Sequence, residues 1–275
     1  MPRVRAAGPL LALALACICG AAGSSLPPVG GRSLRLRLAR LEQHVSFLHA
    51  ALGEQLCAGK GDEATATGAW CLQPASELFG HPLAPLHFLD SGVAPAVFEL
   101  LSPTNASVLD VGAGSGQYGR YLISRGFSPL LYEGIDGALN VESFTSGFVR
   151  WADLTLPFER ESGPADWVLS LEVGEHLPAA HERTYLHTLH RNNRCGMALS
   201  WAVPGQPGKG HINCLSNADV RQRVEAMGYT YDAPFAQAVR ARAQEPWFKD
   251  TFMLFRRKDA PHHCSAAAPV VAAGK

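Results

Sequence analysis

Apolar and polar residues along this chain follow two periods. Short, mostly apolar runs recur at Val108–Val111, Pro129–Ile135, Phe148–Trp151, Asp166–Val173, Gly196–Ala202, Tyr229–Tyr231 and Thr251–Phe255. Runs this short, without strict alternation, predict strands covered on both faces. Helical patterns separate them: Tyr118–Arg125 stopped by Gly126, Ala179–Arg191, Ala218–Met227 stopped by Gly228, and Ala236–Ala243. Glycine just past a periodic segment is a usual helix stop. A further helical pattern within Leu83–Leu101 ends before Pro103. Strands alternating with helices predict an α/β domain with a mostly parallel sheet.

The first hundred residues read differently. Arg3 and Arg5 precede the apolar run Leu10–Ile18, and small residues follow through Ser24. Basic, apolar, then small is the order of a secretory signal. The uncharged span Ala6–Val29 also suits an uncleaved anchor. Leu34, Leu38, Leu41, Val45, Leu48 and Leu52 are then spaced 4, 3, 4, 3, 4. This is a heptad seam, fitting either a homo-oligomerising coiled coil over residues 34–52 or an amphipathic helix lying on its own domain. The expected organisation is a signal peptide or anchor at 1–25, this helix at 33–56, a linker at 57–80, the α/β domain at 81–258 and a disordered tail at 259–275.

The polar residues that carry chemistry fall at the strand ends. After Val108–Val111, with Asp110 inside it, come Gly112, Gly114, Gly116 and Gly119 in VLDVGAGSGQYG. Glycines let a turn approach a ligand closely, and the following helix start offers unpaired N–H groups. The spacing suits a dinucleotide pyrophosphate. Asp110, two residues before the first of these glycines, shifts the reading toward S-adenosylmethionine, whose ammonium group an acid there would meet while the methionine moiety lies against the turn. Glu133 or Asp136, near the end of the second strand, is the candidate for the ribose hydroxyls. Asp153 is the candidate for an adenine amino group, with Leu154 against the ring. Glu175, His176 and His211 are candidate proton acceptors, since histidine titrates near neutrality.

Four segments together resemble the class I S-adenosylmethionine-dependent methyltransferases, and within them the ubiquinone-biosynthesis O-methyltransferase-like group. They are VLDVGAGSGQYG, the acid at 133 or 136, Ala152-Asp153-Leu154, and LSLEVGEHLP at 169–178. A weaker fifth is HINCLSNADVRQRVEAMGY at 211–229. The resemblance covers about Val108–Arg257. It implies a Rossmann-like seven-stranded sheet, mostly parallel, with helices on both faces and an antiparallel last strand. It implies S-adenosyl-L-methionine as cofactor, held by Asp110, Gly112, Gly114, Gly116, Glu133 or Asp136, Asp153, Leu154 and Glu172. Glu175, His176 and His211 would border the methyl acceptor, which the resemblance does not name.

Charge and cysteines change the picture little. Lys plus Arg number 24 and Asp plus Glu number 24, so no basic stripe points to nucleic acid. Outside the N-terminal segment the cysteines are Cys57, Cys71, Cys195, Cys214 and Cys264. An oxidising compartment would pair Cys57 with Cys71 and Cys195 with Cys214, leaving Cys264 odd. No Cys-x-x-Cys pair or His/Cys cluster suggests zinc, so no metal is expected. Asn105-Ala106-Ser107 is a glycosylation sequon. The expected location is the secretory pathway, secreted or luminal. The alternative is a membrane anchor with the domain in the cytosol, favoured by Arg32, Arg35, Arg37 and Arg40 after the apolar run. Two other functional readings stand beside the methyltransferase: a secreted or tethered binding module of the same fold, and a dinucleotide-dependent oxidoreductase.

Overall fold

The structure is a computed structural model that describes residues 44, 48, 51–58, 67–73 and 89–266. The N-terminal segment, most of the heptad seam and the last residues of the tail lie outside the described residues. Among the described residues, no helix is long and apolar enough to cross a membrane.

Seven strands form one sheet in the order β3-β2-β1-β4-β5-β7-β6. They are β1 Val108–Val111, β2 Tyr132–Asp136, β3 Val149–Trp151, β4 Ala165–Ser170, β5 Asn193–Leu199, β6 Tyr229–Tyr231 and β7 Met253–Arg257. Every pair from β3 to β5 is parallel, whereas β7 runs antiparallel to both β5 and β6. The expected mostly parallel sheet with an antiparallel last strand is therefore observed. All four residues of β1 are buried, which explains its unbroken apolar reading apart from Asp110.

After residue 89 the α-helices are α1 Val93–Leu101, α2 Gln117–Ser124, α3 Val141–Phe144, α4 Glu182–Arg191, α5 Asn217–Ala226, α6 Ala233–Arg242 and α7 Pro246–Thr251. One face of the sheet packs Val97, Leu100, Leu122, Phe235 and Val239 into a core. The other packs Tyr185, Leu189, Val220 and Val224. A smaller cluster joins Leu72 to Ala113, Ala138, Val141 and Val149.

Several boundaries shift for local reasons. The run at 129 starts later as a strand, because Pro129–Leu131 forms a 3-10 turn that tolerates the missing proline N–H. β4 ends at Ser170, and Leu171–Val173 leave the sheet toward the cleft. The helix expected over Ala179–Arg191 begins as a 3-10 turn, Ala179–His181. Helix α7 was not expected; its six residues are too few to show a period.

The disulfides correct the sequence pairing. Cys57–Cys71 is present, but Cys195 pairs with Cys264, with Cα atoms 5.2 Å apart, and Cys214 is free. Residues 259–266 are not a loose tail: His262–Ala266 forms a 3-10 turn that returns Cys264 to the start of β5, where it is buried. Leu48 and Leu52 are exposed. Residues 51–57 are helical, and the Gly53 backbone lies against the Leu139 carbonyl, so this helix leans on its own domain. Asn105 is exposed in a left-handed cap before β1.

Candidate functional site

The parallel strands deliver their C-terminal ends to one cleft, a cavity of about 440 Å³. Open α/β sheets offer ligands this edge, where strand ends and helix starts leave backbone groups unpaired. Gly112, Asp136, Asp153, Glu172, His176 and His211 all line it, supplied by the ends of β1 to β5 and the loops that follow them.

The turn after β1 is held open by glycine. Gly112 has φ +77°, and a Cβ there would sit 2.3 Å from a Val173 methyl. An L side chain would therefore be both strained and blocked. Asp136 ties that turn to the loop after β2: its Oδ2 accepts the Gly114 N–H at 2.8 Å and its Oδ1 accepts the Ala138 N–H at 2.7 Å. Asp153 follows β3; its Oδ1 accepts both the N–H and the hydroxyl of Thr155, and among the described residues no hydrogen bond reaches its Oδ2. Leu154 lines the cavity beside it.

The two acids offered for the second strand separate here. Asp136 lines the cavity, but Glu133 does not. Glu133 is paired with Arg150 and Arg160, whose positive charges hold its carboxyl below the usual range despite partial burial. Asp110, Gly114 and Gly116 also stay outside the lining. Asp110 is buried beneath the turn, where the Tyr132 hydroxyl donates to it at 3.0 Å. Burial pushes its carboxyl up to about 7, only partly countered by that hydrogen bond. Gly116 is needed for packing: with φ +77°, a Cβ would meet the Phe148 ring at 2.6 Å.

The opposite wall comes from the loops after β4 and β5. Glu172 has φ +54°, a strained left-handed backbone that only surrounding contacts can sustain. Those contacts are the Gln206 amide on Oε2 at 2.6 Å, the Thr251 hydroxyl on Oε1 at 3.2 Å, and its own N–H donated to Ser200. His176 and His211 meet edge to face, 5.1 Å between centroids. Glu175, expected in the lining, is fully buried behind them. Its carboxyl meets the Glu172 carboxyl and the N–H groups of Glu175 and Ala202. Burial, then the Glu172 charge, drives its carboxyl well above the usual range.

Sequence reasoning missed the covering segment. Residues 67–73, expected within a linker, hold Thr67–Leu72 against the cavity. The segment is stapled by Cys57–Cys71, and Asn140 brackets it through both the N–H and the carbonyl of Leu72. Leu139 donates its N–H to the Trp70 carbonyl. The Trp70 ring lies against His176, 5.6 Å away, and near Lys209. Trp247 and Phe248 of α7 complete the lining. The bracket of two cysteines around Trp70 was the available signal.

No family model matches the chain, and no curated protein matches it. Solved structures do show likeness. One is magnesium protoporphyrin IX methyltransferase (ChlM) from Synechocystis PCC 6803 with bound SAH, at 18% identity and TM-score 0.45, covering 60% of this chain and 82% of that one. Another is the glycopeptide N-methyltransferase MtfA complexed with sinefungin, at 14% identity and TM-score 0.45, covering 73% and 100%. A SAM-dependent methyltransferase from Aquifex aeolicus matches at 16% identity and TM-score 0.40, covering 59% and 92%.

Proposed function

We propose that this chain is an S-adenosyl-L-methionine-dependent methyltransferase. The observation that carries the reading is the succession of Gly112, Asp136 and Asp153-Leu154 along one cavity edge. Three consecutive strand ends thus offer a side-chain-free turn, a carboxylate fixed by two backbone N–H groups, and a carboxylate with one unengaged oxygen beside an apolar side chain. These suit, in order, an aminoacyl chain, a ribose diol and an adenine with its amino group. Gly112 brings bare backbone to the cavity edge, and the Val173 side chain packed against it leaves no room for a Cβ.

When bound, the cofactor supplies an activated methyl group on a sulfonium with a neutral leaving group. The chain's own residues have the remaining work of orientation and water exclusion. Asp136 and Asp153 fix the nucleoside end. Glu172, cross-linked to Gln206 and Thr251, lies toward the middle of the cleft. Trp70, His176, His211 and Trp247 bound the acceptor side, a wall of mixed polarity. The LSLEVGEHLP segment supports kinship with the ubiquinone-biosynthesis O-methyltransferase-like group. We also infer a secretory-pathway location, supported by the signal-like N-terminus and by two disulfides, a bond type that persists in oxidising compartments.

Calorimetric titration of the full chain with S-adenosylmethionine, S-adenosylhomocysteine and NAD tests the reading. Micromolar binding of both adenosyl ligands, weakened in Asp153→Ala, is expected. Binding of NAD in their place moves the chain to the oxidoreductases. Absence of all three in cooperatively folded protein makes it a non-enzymatic module.

A further inference from the structure

The Asn105-Ala106-Ser107 sequon is a motif that the cleft does not use, and every other asparagine of the chain lacks a hydroxyl residue two positions on. Its two ends have opposite settings. Asn105 closes the 3-10 turn Ser102–Thr104 in the left-handed region, φ 47° and ψ 43°, which asparagine tolerates better than most residues. Its side chain is exposed, and among the described residues no hydrogen bond reaches its amide. Ser107 is half-buried and tied into the sheet. Its hydroxyl donates to Asp166 Oδ2 at 2.9 Å and accepts the Asp166 N–H at 3.0 Å, while its carbonyl accepts the Trp167 N–H.

We propose that Asn105 carries an N-linked oligosaccharide, added before the domain folds and lying on the sheet edge opposite the cleft. The proposal rests on the secretory-pathway location inferred above. In the transfer, Nδ2 of Asn105 attacks C1 of the first sugar of a polyprenyl-diphosphate-linked oligosaccharide. The bond from C1 to the diphosphate oxygen breaks, the diphosphate leaves with the electron pair, and Nδ2 gives up one proton. The acceptor motif is defined by its hydroxyl as well as its amide. In the folded domain Asp166 engages that hydroxyl both as acceptor and as donor, and the left-handed turn keeps the tripeptide from extending. The tripeptide is therefore an acceptor only before β1 and β4 join and Ser107 meets Asp166.

The place suits a large polar group. Strand β1 intervenes between Asn105 and the glycine turn, about 13 Å of extended chain, so a glycan leaves the cleft open. The Cys195–Cys264 disulfide belongs to the same edge, since His263 Nε2 lies 3.1 Å from the second oxygen of Asp166. Asp166 thus joins the sequon turn to the C-terminal turn. Val108 pairs with Tyr132 in parallel register, which puts Leu130, just ahead of β2, on this edge too. Leu130 is 93% exposed. A bulky, solubilising glycan on the neighbouring connection would shield it.

The test expresses the full chain, with its own N-terminus, in a eukaryotic secretory host. Peptides are mapped after amidase release of N-glycans, which turns a modified Asn105 into aspartate. One glycan per chain is expected, lost in Asn105→Asp and kept in Ser107→Thr. Asn105→Asp retains a residue that tolerates the left-handed turn, so loss of the glycan is not loss of the fold. Deglycosylation should change S-adenosylhomocysteine affinity by less than twofold. Glycan-free chain from bacteria is then offered to solubilised microsomes with the lipid-linked donor. The reduced, unfolded chain should be modified and the folded chain should not; equal modification of both overturns the order of events. Unmodified Asn105 in protease-protected protein with the Cys195–Cys264 bond formed overturns the glycan alone. Unmodified Asn105 in reduced, cytosolic protein overturns the location as well.

Discussion

The cavity has two walls built by different means. The wall of Gly112, Asp136 and Asp153-Leu154 is local: each residue ends or closely follows its own strand, and its hydrogen bonds reach only to neighbouring turns. The wall of Trp70, Glu172, Gln206 and His211 is assembled from distant segments. A disulfide, the Asn140 bracket and a strained Glu172 backbone hold it in place. The first wall is fixed by the sheet; the second depends on cross-links between loops. Stability and ligand affinity should therefore respond differently when each is disturbed.

The largest expected effect lies beneath the first wall. Asp110 has an ordinary carboxyl pKa of 3.8 unfolded and about 7 folded. The folded state binds the proton more tightly, so this group's penalty grows as pH rises from 3.8 and is complete above 7. Asp110→Asn removes it while keeping an acceptor for Tyr132. Urea unfolding should show the variant gaining about 4 kcal/mol over wild type at pH 8, with a smaller gain at pH 5. An equal gain at both pH values would break the argument.

Asp136→Ala comes next. It removes one backbone hydrogen bond from the glycine turn and one from the loop after β2, as well as the expected ribose contact. S-adenosylhomocysteine affinity should fall about a hundredfold, or about 2.7 kcal/mol, by calorimetry. Cys57→Ser/Cys71→Ser tests the second wall. A loop of this length is worth about 3 kcal/mol in chain entropy. Because the staple constrains one covering segment, the expected loss is about tenfold in affinity, with the Asp136 contribution intact. Non-additivity between the two changes would show that the walls are coupled. The smallest effect should come from Glu133→Gln, whose carboxylate is engaged by two arginines outside the cavity. Adenosyl affinity should move by less than twofold, and a large loss would return Glu133 to the ribose.

The same contrast explains what the sequence could tell. Strand positions and the glycine turn were legible because a strand buried on both faces leaves an apolar run, and a tight turn demands glycine. Asp136 and Glu133 could not be separated by distance along the chain. Their difference rests on Arg150 and Arg160, which the β2–β3 pairing and the loop after β3 bring to Glu133. The pairing of Cys195 with Cys264, rather than the nearer Cys214, required knowing that the C-terminal turn folds back to the start of β5. Trp70 was hidden because a segment rich in Gly, Ala and Thr reads as a linker whether or not it is stapled. Glu175 and His176 were visible as a pair, but nothing local shows that His211 joins them.

The stapled segment also bears on timing. Gly68 runs so close to the His176 carbonyl that a Cβ would lie 2.1 Å from it, so this covering peptide is fitted to the wall rather than draped over it. A ligand seated behind Trp70 would be covered by a stretch of chain that Cys71 and Asn140 both hold. Cutting that one disulfide with thiol should therefore loosen this wall and speed ligand release.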